Sequence, residues 1–192
     1  PPIAYQNGSA AEPFELVVDL VGRPKYGTFE PTTMIMITLP LLYGLILGDF
    51  GYGFVIVLLA LWLRSLPFAK EPMGKNATTV LLWMGIWCMI WGLLFAEGFG
   101  FIWDESWSPL EGFYAWTKDL TYGFKSSGIG KALGLGHTYV PFHRADSALT
   151  DYVLLSVYIG ALHLLIGYII GFVNVAKGPG LLAAFFEKGS WM

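Results

Sequence analysis

Three ionisable side chains lie in or beside apolar stretches of this sequence and are therefore candidates for chemistry. They are Asp49, Glu97 and His163. An ionisable residue in an apolar segment is a candidate for a substrate or ion pathway, because burying it is costly. His163 lies in the middle of an apolar run, where an imidazole could relay protons or bind a metal. Asp49 lies within a glycine-rich block, and Glu97 closes another apolar run.

Each of these residues also has a structural explanation, which we favour. At the tip of a turn, the Asp49 carboxylate would cap the following helix near water. A lone histidine in a span is more often neutral and hydrogen-bonded to a neighbouring helix, and we expect this of His163. We expect Glu97 to be solvated at the membrane interface. His137 and His143 have no His or Cys partner at a metal-ligand spacing, so we predict no metal, cofactor or catalytic residue.

Asp49 is the only charge in a long apolar run that begins at Thr32 and ends at Leu63. As one helix this run would measure about 48 Å at 1.5 Å per residue, against about 30 Å for the hydrocarbon core of a bilayer. The three glycines in residues 48–53 permit backbone angles that other residues avoid. We therefore predict a tight hairpin of two short helices, spanning about 32–48 and 51–66, with its turn on the non-cytoplasmic side.

Two further apolar runs predict spans at about 77–96 and 152–176. Between them lies a long polar loop, residues 97–151, expected on the non-cytoplasmic side. The predicted fold class is therefore an all-α integral membrane protein with about four transmembrane helices in a domain covering residues 32–192. The expected location is a multi-pass position in a membrane, which would be the plasma membrane in a prokaryote.

Residues 1–31 are polar and contain five prolines, with one β-like patch from Phe14 to Val21. We interpret them as an extended juxtamembrane linker. The sequence has no initiator methionine and no basic segment followed by an apolar one at its start, so we predict no cleaved signal peptide and expect a piece of a longer polypeptide.

The composition indicates an integral membrane protein. Of the 192 residues, 55% are hydrophobic and 13% are charged, against about 25% charged residues in soluble domains. The net charge of −3 argues against nucleic acid as a partner. Cys88 is the single cysteine, so there is no disulfide framework. Residues 64–76 carry Arg64, Lys70 and Lys75 against Glu71 alone, which favours the cytoplasmic side for this connection.

Motifs of common enzymes are missing from the sequence. The clusters at Gly128–Gly130 and Gly134–Gly136 lack the third glycine of a dinucleotide fingerprint, and no GxxxxGK[ST] phosphate loop is present. A GxSxG nucleophile elbow is also missing. The sequence therefore predicts a protein that is not itself an enzyme.

One family resemblance is carried by residues 31–54, PTTMIMITLPLLYGLILGDFGYGF, whose GDxGYG block after an apolar run is the most specific feature. Weaker features agree in order: PFE and GRPKYGTFEPT upstream, then LLFAEGFGFI, ALHLLIGYIIGFVN and EKGSW downstream. The sequence resembles the membrane domain of the rotary ATPase stator subunit, called subunit I in A/V-type ATP synthases and subunit a in eukaryotic V-type pumps. The resemblance covers the chain from about residue 11 onward.

The resemblance implies a part of an ion-translocating complex. In this family a cytoplasmic domain that contacts the peripheral stalks precedes eight membrane spans, and the last spans face the rotating proteolipid ring with the arginine needed for ion transfer. This sequence ends after what would be the fourth span. Neither Arg64 nor Arg144 matches the context of that arginine, so no catalytic residue is carried over. The implied role is a non-catalytic part that supports proton or sodium translocation coupled to ATP synthesis or hydrolysis.

Two other functions fit the composition. One is a segment of a secondary transporter or channel, in which a glycine-interrupted span and the mid-membrane His163 would form a substrate site. That function predicts an inverted repeat of the GDFGYG hairpin, and none is visible. The other is a purely structural membrane anchor.

Overall fold

The computed structural model describes residues 4–102, 111–113, 115–116, 127–133 and 149–187. The described chain is mostly helical. Its elements, in chain order, are α1 (Glu15–Val21), α2 (Thr32–Leu47), α3 (Phe50–Arg64), α4 (Pro72–Phe95), β1 (Glu97–Gly98), β2 (Phe101–Ile102), α5 (Gly128–Ala132), α6 (Leu149–Lys177) and α7 (Leu181–Glu187), with single 3-10 turns at Glu12–Phe14 and Pro67–Lys70.

The core is a three-helix bundle in which α4 packs against both α2 and α3. Glycines allow the backbones of α3 and α4 to approach closely. A methyl group at Gly53 would lie 2.6 Å from the Met89 nitrogen, and one at Gly85 would lie 2.9 Å from the Val57 side chain. Because contacts on α3 move towards its start as those on α4 move towards its end, the two helices are antiparallel.

The contacts of α2 with α4 run in the opposite sense. Gly44 lies against the Trp87 backbone, and Gly48, one turn later, lies against the Phe95 ring. Helix α2 is therefore parallel to α4 and antiparallel to α3. The apolar run from residue 32 to residue 63 does break into two helices, at Gly48 and Asp49, but its arms pack mainly on α4 and contact each other little.

Helix α6 is attached to this bundle at both of its ends. Near its start, the Tyr152 hydroxyl donates to the Leu45 carbonyl oxygen at 3.2 Å, and the Tyr152 ring meets Phe95 edge to face. Near its end, the Asn174 side-chain oxygen accepts a hydrogen bond from the Phe29 nitrogen at 2.9 Å. Helix α6 therefore runs antiparallel to α4, and most side chains between these two attachments are exposed.

Two of the helices are long and apolar enough to cross a membrane by length and composition, Pro72–Phe95 and Tyr152–Lys177. Helices α2 and α3 are apolar but shorter, at 16 and 15 residues. At 1.5 Å per residue they measure about 24 Å and 22 Å. The four-span topology stays a prediction.

The N-terminal segment differs from what its sequence predicted. The β-like patch at residues 14–21 is wrong, because the structure has a 3-10 turn followed by helix α1 there. Phe14 and Val18 are one helical turn apart and both are buried, as expected for two residues on the inner face of a helix. An exposed ion pair between Asp19 and Arg23, at 2.8 Å, lies along the same stretch. This part of the predicted linker is therefore helical rather than extended, and its position beside a membrane stays a prediction.

The segment between the two longest helices also contains regular structure. Residues 97–102 form an antiparallel hairpin of β1 and β2, and α5 follows at Gly128–Ala132. Helix α6 begins at Leu149, a few residues before the predicted span. The predictions made for His137, His143 and Arg144 lie outside the described residues.

Candidate functional site

Asp49 lies in the turn between α2 and α3 and begins the second of these helices. Gly48 closes α2 in the left-handed region, with a φ of 44°, which glycine adopts without strain. Asp49 itself is extended, and its Oδ1 accepts a hydrogen bond from the Tyr52 nitrogen at 2.8 Å. The carboxylate is therefore the N-cap of α3, as the sequence predicted.

The same carboxylate binds a turn fifty residues further along the chain. The Phe99 nitrogen donates to Asp49 Oδ1 at 2.8 Å, and the Gly100 nitrogen donates to Oδ2 at 2.7 Å. Phe99 and Gly100 form the two-residue turn between β1 and β2, and both have positive φ, 52° and 76°. A hairpin turn of this type suits glycine at both positions, and the hydrogen bonds that the Phe99 and Gly100 nitrogens donate to Asp49 hold Phe99 in a conformation that it disfavours.

We call this group the Asp49 junction, made of Asp49, Tyr52, Phe99 and Gly100. Asp49 is only 2% exposed, and burial alone would raise its pKa. Backbone N–H donors from Tyr52, Gly100, Phe99 and Gly51 outweigh burial and hold the pKa of Asp49 below its ordinary value. The carboxylate is therefore ionised near neutral pH. The sequence led us to expect Asp49 near water, whereas the structure buries it.

Glycines around the junction allow the close contacts that it needs. A methyl group at Gly51 would lie 2.5 Å from the Phe99 ring, and one at Gly92 would lie 2.5 Å from the Asp49 carbonyl carbon. Gly51 and Gly53 are helical residues of α3, and only Gly48 of the three takes a positive φ. The glycine block was therefore correctly predicted to contain a turn, but two of its glycines serve close packing instead.

Helix α4 contacts the turn from the other side. The Cys88 thiol donates to the Asp49 carbonyl oxygen at 3.2 Å, and Cys88 is fully buried. One turn further, the Trp91 indole N–H donates to the Leu41 carbonyl oxygen at 3.1 Å, and the Trp91 ring stacks on Phe95. Main-chain oxygens near the end of α2 and at the turn are thus satisfied by side chains of α4, which ties the helices together.

The structure brings two of the three predicted positions near each other. Glu97 is half-buried in β1, two residues before Phe99, and so lies beside the Asp49 junction. His163 is half-buried at the middle of α6 and, with Leu164, Gly167, Tyr168 and Gly171, lines an open cavity of about 360 Å³. It is eleven residues from Tyr152, about 16 Å along the helix axis. His163 therefore belongs to a different part of the molecule.

The arrangement limits the chemistry that these side chains can perform. Within the described ranges, no group of three His, Cys, Asp or Glu residues is placed to hold a metal ion. The Asp49 carboxylate accepts from amides on both of its oxygens and has a low pKa, which suits a structural anion rather than a group that exchanges protons. Sequence reasoning missed Phe99 and Gly100, for which the only signal was an aromatic residue between Gly98 and Gly100.

Comparison with known proteins identifies a family and several relatives that this chain resembles. The V-type ATPase 116 kDa subunit family matches residues 1–187. A-type ATP synthase subunit I of Halobacterium salinarum is 32% identical over 190 residues, which cover 98% of this chain and 23% of the relative. The same subunit of Archaeoglobus fulgidus is 28% identical over 194 residues, covering 100% of this chain and 27% of the relative.

A bacterial protein, V-type ATP synthase subunit I 2 of Treponema pallidum, is 32% identical over 98 residues, covering 51% of this chain and 22% of the relative. The chain spans about a quarter of the length of the curated relatives that match it over its whole length.

Proposed function

The chain belongs to the V-type ATPase 116 kDa subunit family, and from this we propose that it forms a non-catalytic part of the membrane domain of a rotary ATPase or ATP synthase stator subunit. In this role it supports the translocation of protons or sodium ions, coupled to ATP synthesis or hydrolysis. It acts as a scaffold, and ion transfer takes place on other parts of the whole subunit.

The observation that carries this proposal is the Asp49 junction. Its buried carboxylate is the charge that an ion pathway through α2 and α3 would need, yet amides occupy both of its oxygens. The junction joins the end of α2, the start of α3 and the hairpin after α4. A carboxylate whose oxygens both accept hydrogen bonds from backbone amides supports a role in a rigid scaffold rather than in proton relay.

The direction of the helices supports a multi-pass topology. Helices α2, α3, α4 and α6 alternate in direction, so the N-terminal segment, residues 64–76 and Lys177 lie at one end of the bundle, and the Asp49 junction lies at the other. We assign the first end to the cytoplasm, because it carries the basic connection. In a prokaryote the membrane would be the plasma membrane.

The proposed partners follow from the family and concern the whole subunit. They are the proteolipid rotor ring and the peripheral stalk subunits, together with the lipid bilayer. Helix α6 supports such an assembly role, because its apolar side chains are largely exposed along its length.

The test is to substitute Asp49 in the full-length subunit within its complex. We expect Asp49→Ala to leave less than about a fifth of the normal amount of assembled subunit, since it removes an N-cap and leaves buried amides without an acceptor. Ion pumping per assembled complex should stay near normal. Asp19→Asn is the matched control, since Asp19 is an exposed aspartate and should assemble normally. Normal assembly of Asp49→Ala with pumping abolished would contradict the scaffold role and place Asp49 on the ion path.

A further inference from the structure

The connection between α3 and α4 carries three exposed cations. Arg64 ends α3, Lys70 ends the 3-10 turn, and Lys75 lies in the first turn of α4. All three side chains are exposed, and Glu71 is the only acid between residues 64 and 76. We call residues 64–76 the basic loop. Its formal charge is three cations minus one anion, or +2.

The backbone of the basic loop is well supported. Ala69 is buried, and the Ala69 and Glu71 nitrogens donate to the carbonyl oxygens of Leu66 and Phe68, at 3.1 Å and 3.2 Å. A methyl group at Gly74 would lie 2.7 Å from the Phe68 ring, so the loop folds tightly onto the start of α4. The cations are therefore presented from a defined backbone.

Large apolar side chains are exposed in the same region. Trp62 is 60% exposed in the last turn of α3, Phe68 is 44% exposed and Met73 is 66% exposed. They continue the exposed apolar surface of α3, which includes Leu58 and Leu61. Aromatic residues beside cations at the end of an apolar helix are typical of the boundary between hydrocarbon and headgroups. At this boundary the apolar side chains contact hydrocarbon and the cations contact the headgroups and water.

We propose that the basic loop binds the headgroups of anionic phospholipids. The cations of the loop complement lipid phosphates, while Trp62, Phe68 and Met73 fit the acyl boundary next to them. A soluble acidic protein would match the charge of the loop but would not supply an apolar surface for these side chains. The proposal rests on the membrane location proposed above and does not depend on the ATPase role.

The test uses the full-length subunit in bilayers of phosphatidylcholine that contain a trace of photoactivatable lipid. The trace lipid is either phosphatidylglycerol or phosphatidylcholine, and mass spectrometry measures the labelling of peptides that contain residues 62–75. We expect labelling by phosphatidylglycerol to exceed labelling by phosphatidylcholine. In a variant with Arg64→Gln, Lys70→Gln and Lys75→Gln this ratio should fall at least about fivefold, because each cation near a membrane surface strengthens anionic-lipid binding by about that factor.

The matched control is Lys131→Gln, which removes a lysine from α5 and should leave the ratio unchanged. A ratio near one in the unmodified protein, or an equal loss in the control, would overturn the proposal. Absence of labelling by both lipids would also overturn it, because the loop would then lie away from the membrane. The scaffold role proposed above is tested separately, by the assembly and ion pumping measured for Asp49→Ala.

Discussion

At residue scale, Asp49 shows how the surroundings of a charge decide its role. An aspartate in an apolar run is costly, and its presence alone suggests a functional site. The amides of Tyr52, Phe99 and Gly100 change that interpretation, because they donate charge-assisted hydrogen bonds that offset the free-energy cost of burying the carboxylate. Asp49 is thus better explained as an organiser of the turn than as a carrier of protons.

The low pKa of Asp49 predicts a specific pH dependence. Because the folded pKa lies below the ordinary value of about 3.9, the ionised carboxylate stabilises the fold fully above about pH 4, and the effect is lost as pH falls through the folded pKa. We expect Asp49→Asn to lower the Tm of the full-length subunit in detergent at pH 7, with a cost of about 1–3 kcal/mol. The difference from the unmodified protein should shrink below pH 4. A difference that is constant from pH 7 to pH 3 would show that the charge is not responsible.

His163 gives a second prediction at residue scale. No hydrogen bond of its imidazole is found within the described part of the chain, and its neighbours include Gly167 and Tyr168 around an open cavity. We expect His163→Gln to leave assembly and ATP-driven pumping in the complete complex near normal. His163→Asp should impair assembly, because it places a carboxylate among apolar surfaces. Near-total loss of pumping in the glutamine variant at normal assembly would instead assign His163 to the ion path.

At element scale, α4 is the helix on which the described bundle is built. It contacts α2 and α3 over most of its length, while those two helices contact each other little. The contacts depend on glycines that alternate with large side chains, such as Gly85 beside Val57 and Gly92 beside the start of α3. Close approach of backbones gains van der Waals contact, which is the main attraction between helices in lipid.

Gly92 offers a direct test of this packing. Its added methyl would meet the Phe50 nitrogen and the Asp49 carbonyl carbon, which are backbone atoms that cannot rotate away. We expect Gly92→Ala to destabilise the full-length subunit by about 1–3 kcal/mol, measured as a lower Tm in detergent. Gly8→Ala is the control, because Gly8 has open space around it and a φ that alanine can adopt. Equal Tm values for the two variants would contradict the close packing of α3 on α4.

At the scale of the whole molecule, the attachments of α6 complete an alternating set of four helices. Tyr152 bonds to Leu45 near the Asp49 junction, and Asn174 bonds to Phe29 at the opposite end. The two ends of the bundle therefore differ in charge, with the ionised Asp49 carboxylate at one end and the basic loop at the other. Such an asymmetry is expected when one end faces the cytoplasm.

Cysteine labelling in sealed vesicles tests this topology. Phe101 is exposed in β2 near the Asp49 junction, and Lys70 is exposed in the basic loop. We expect a membrane-impermeant maleimide to label Phe101→Cys only from the non-cytoplasmic side and Lys70→Cys only from the cytoplasmic side. Cys88 is fully buried and serves as the internal control, since it should stay unlabelled from both sides. Labelling of both introduced cysteines from the same side would exclude the alternating arrangement.

The sequence by itself determined the features that depend on near neighbours. Run length and glycine placement predicted α2, α3, α4 and α6 and the break near Asp49, and the GDFGYG block indicated the family, because these signals act over a few residues. Only the tertiary structure decided that Asp49 accepts from Phe99 and Gly100, that α4 lies against both hairpin arms, and that the β-like patch is helical. These outcomes depend on contacts between residues far apart in the chain and on the burial that they create, which local periodicity does not encode.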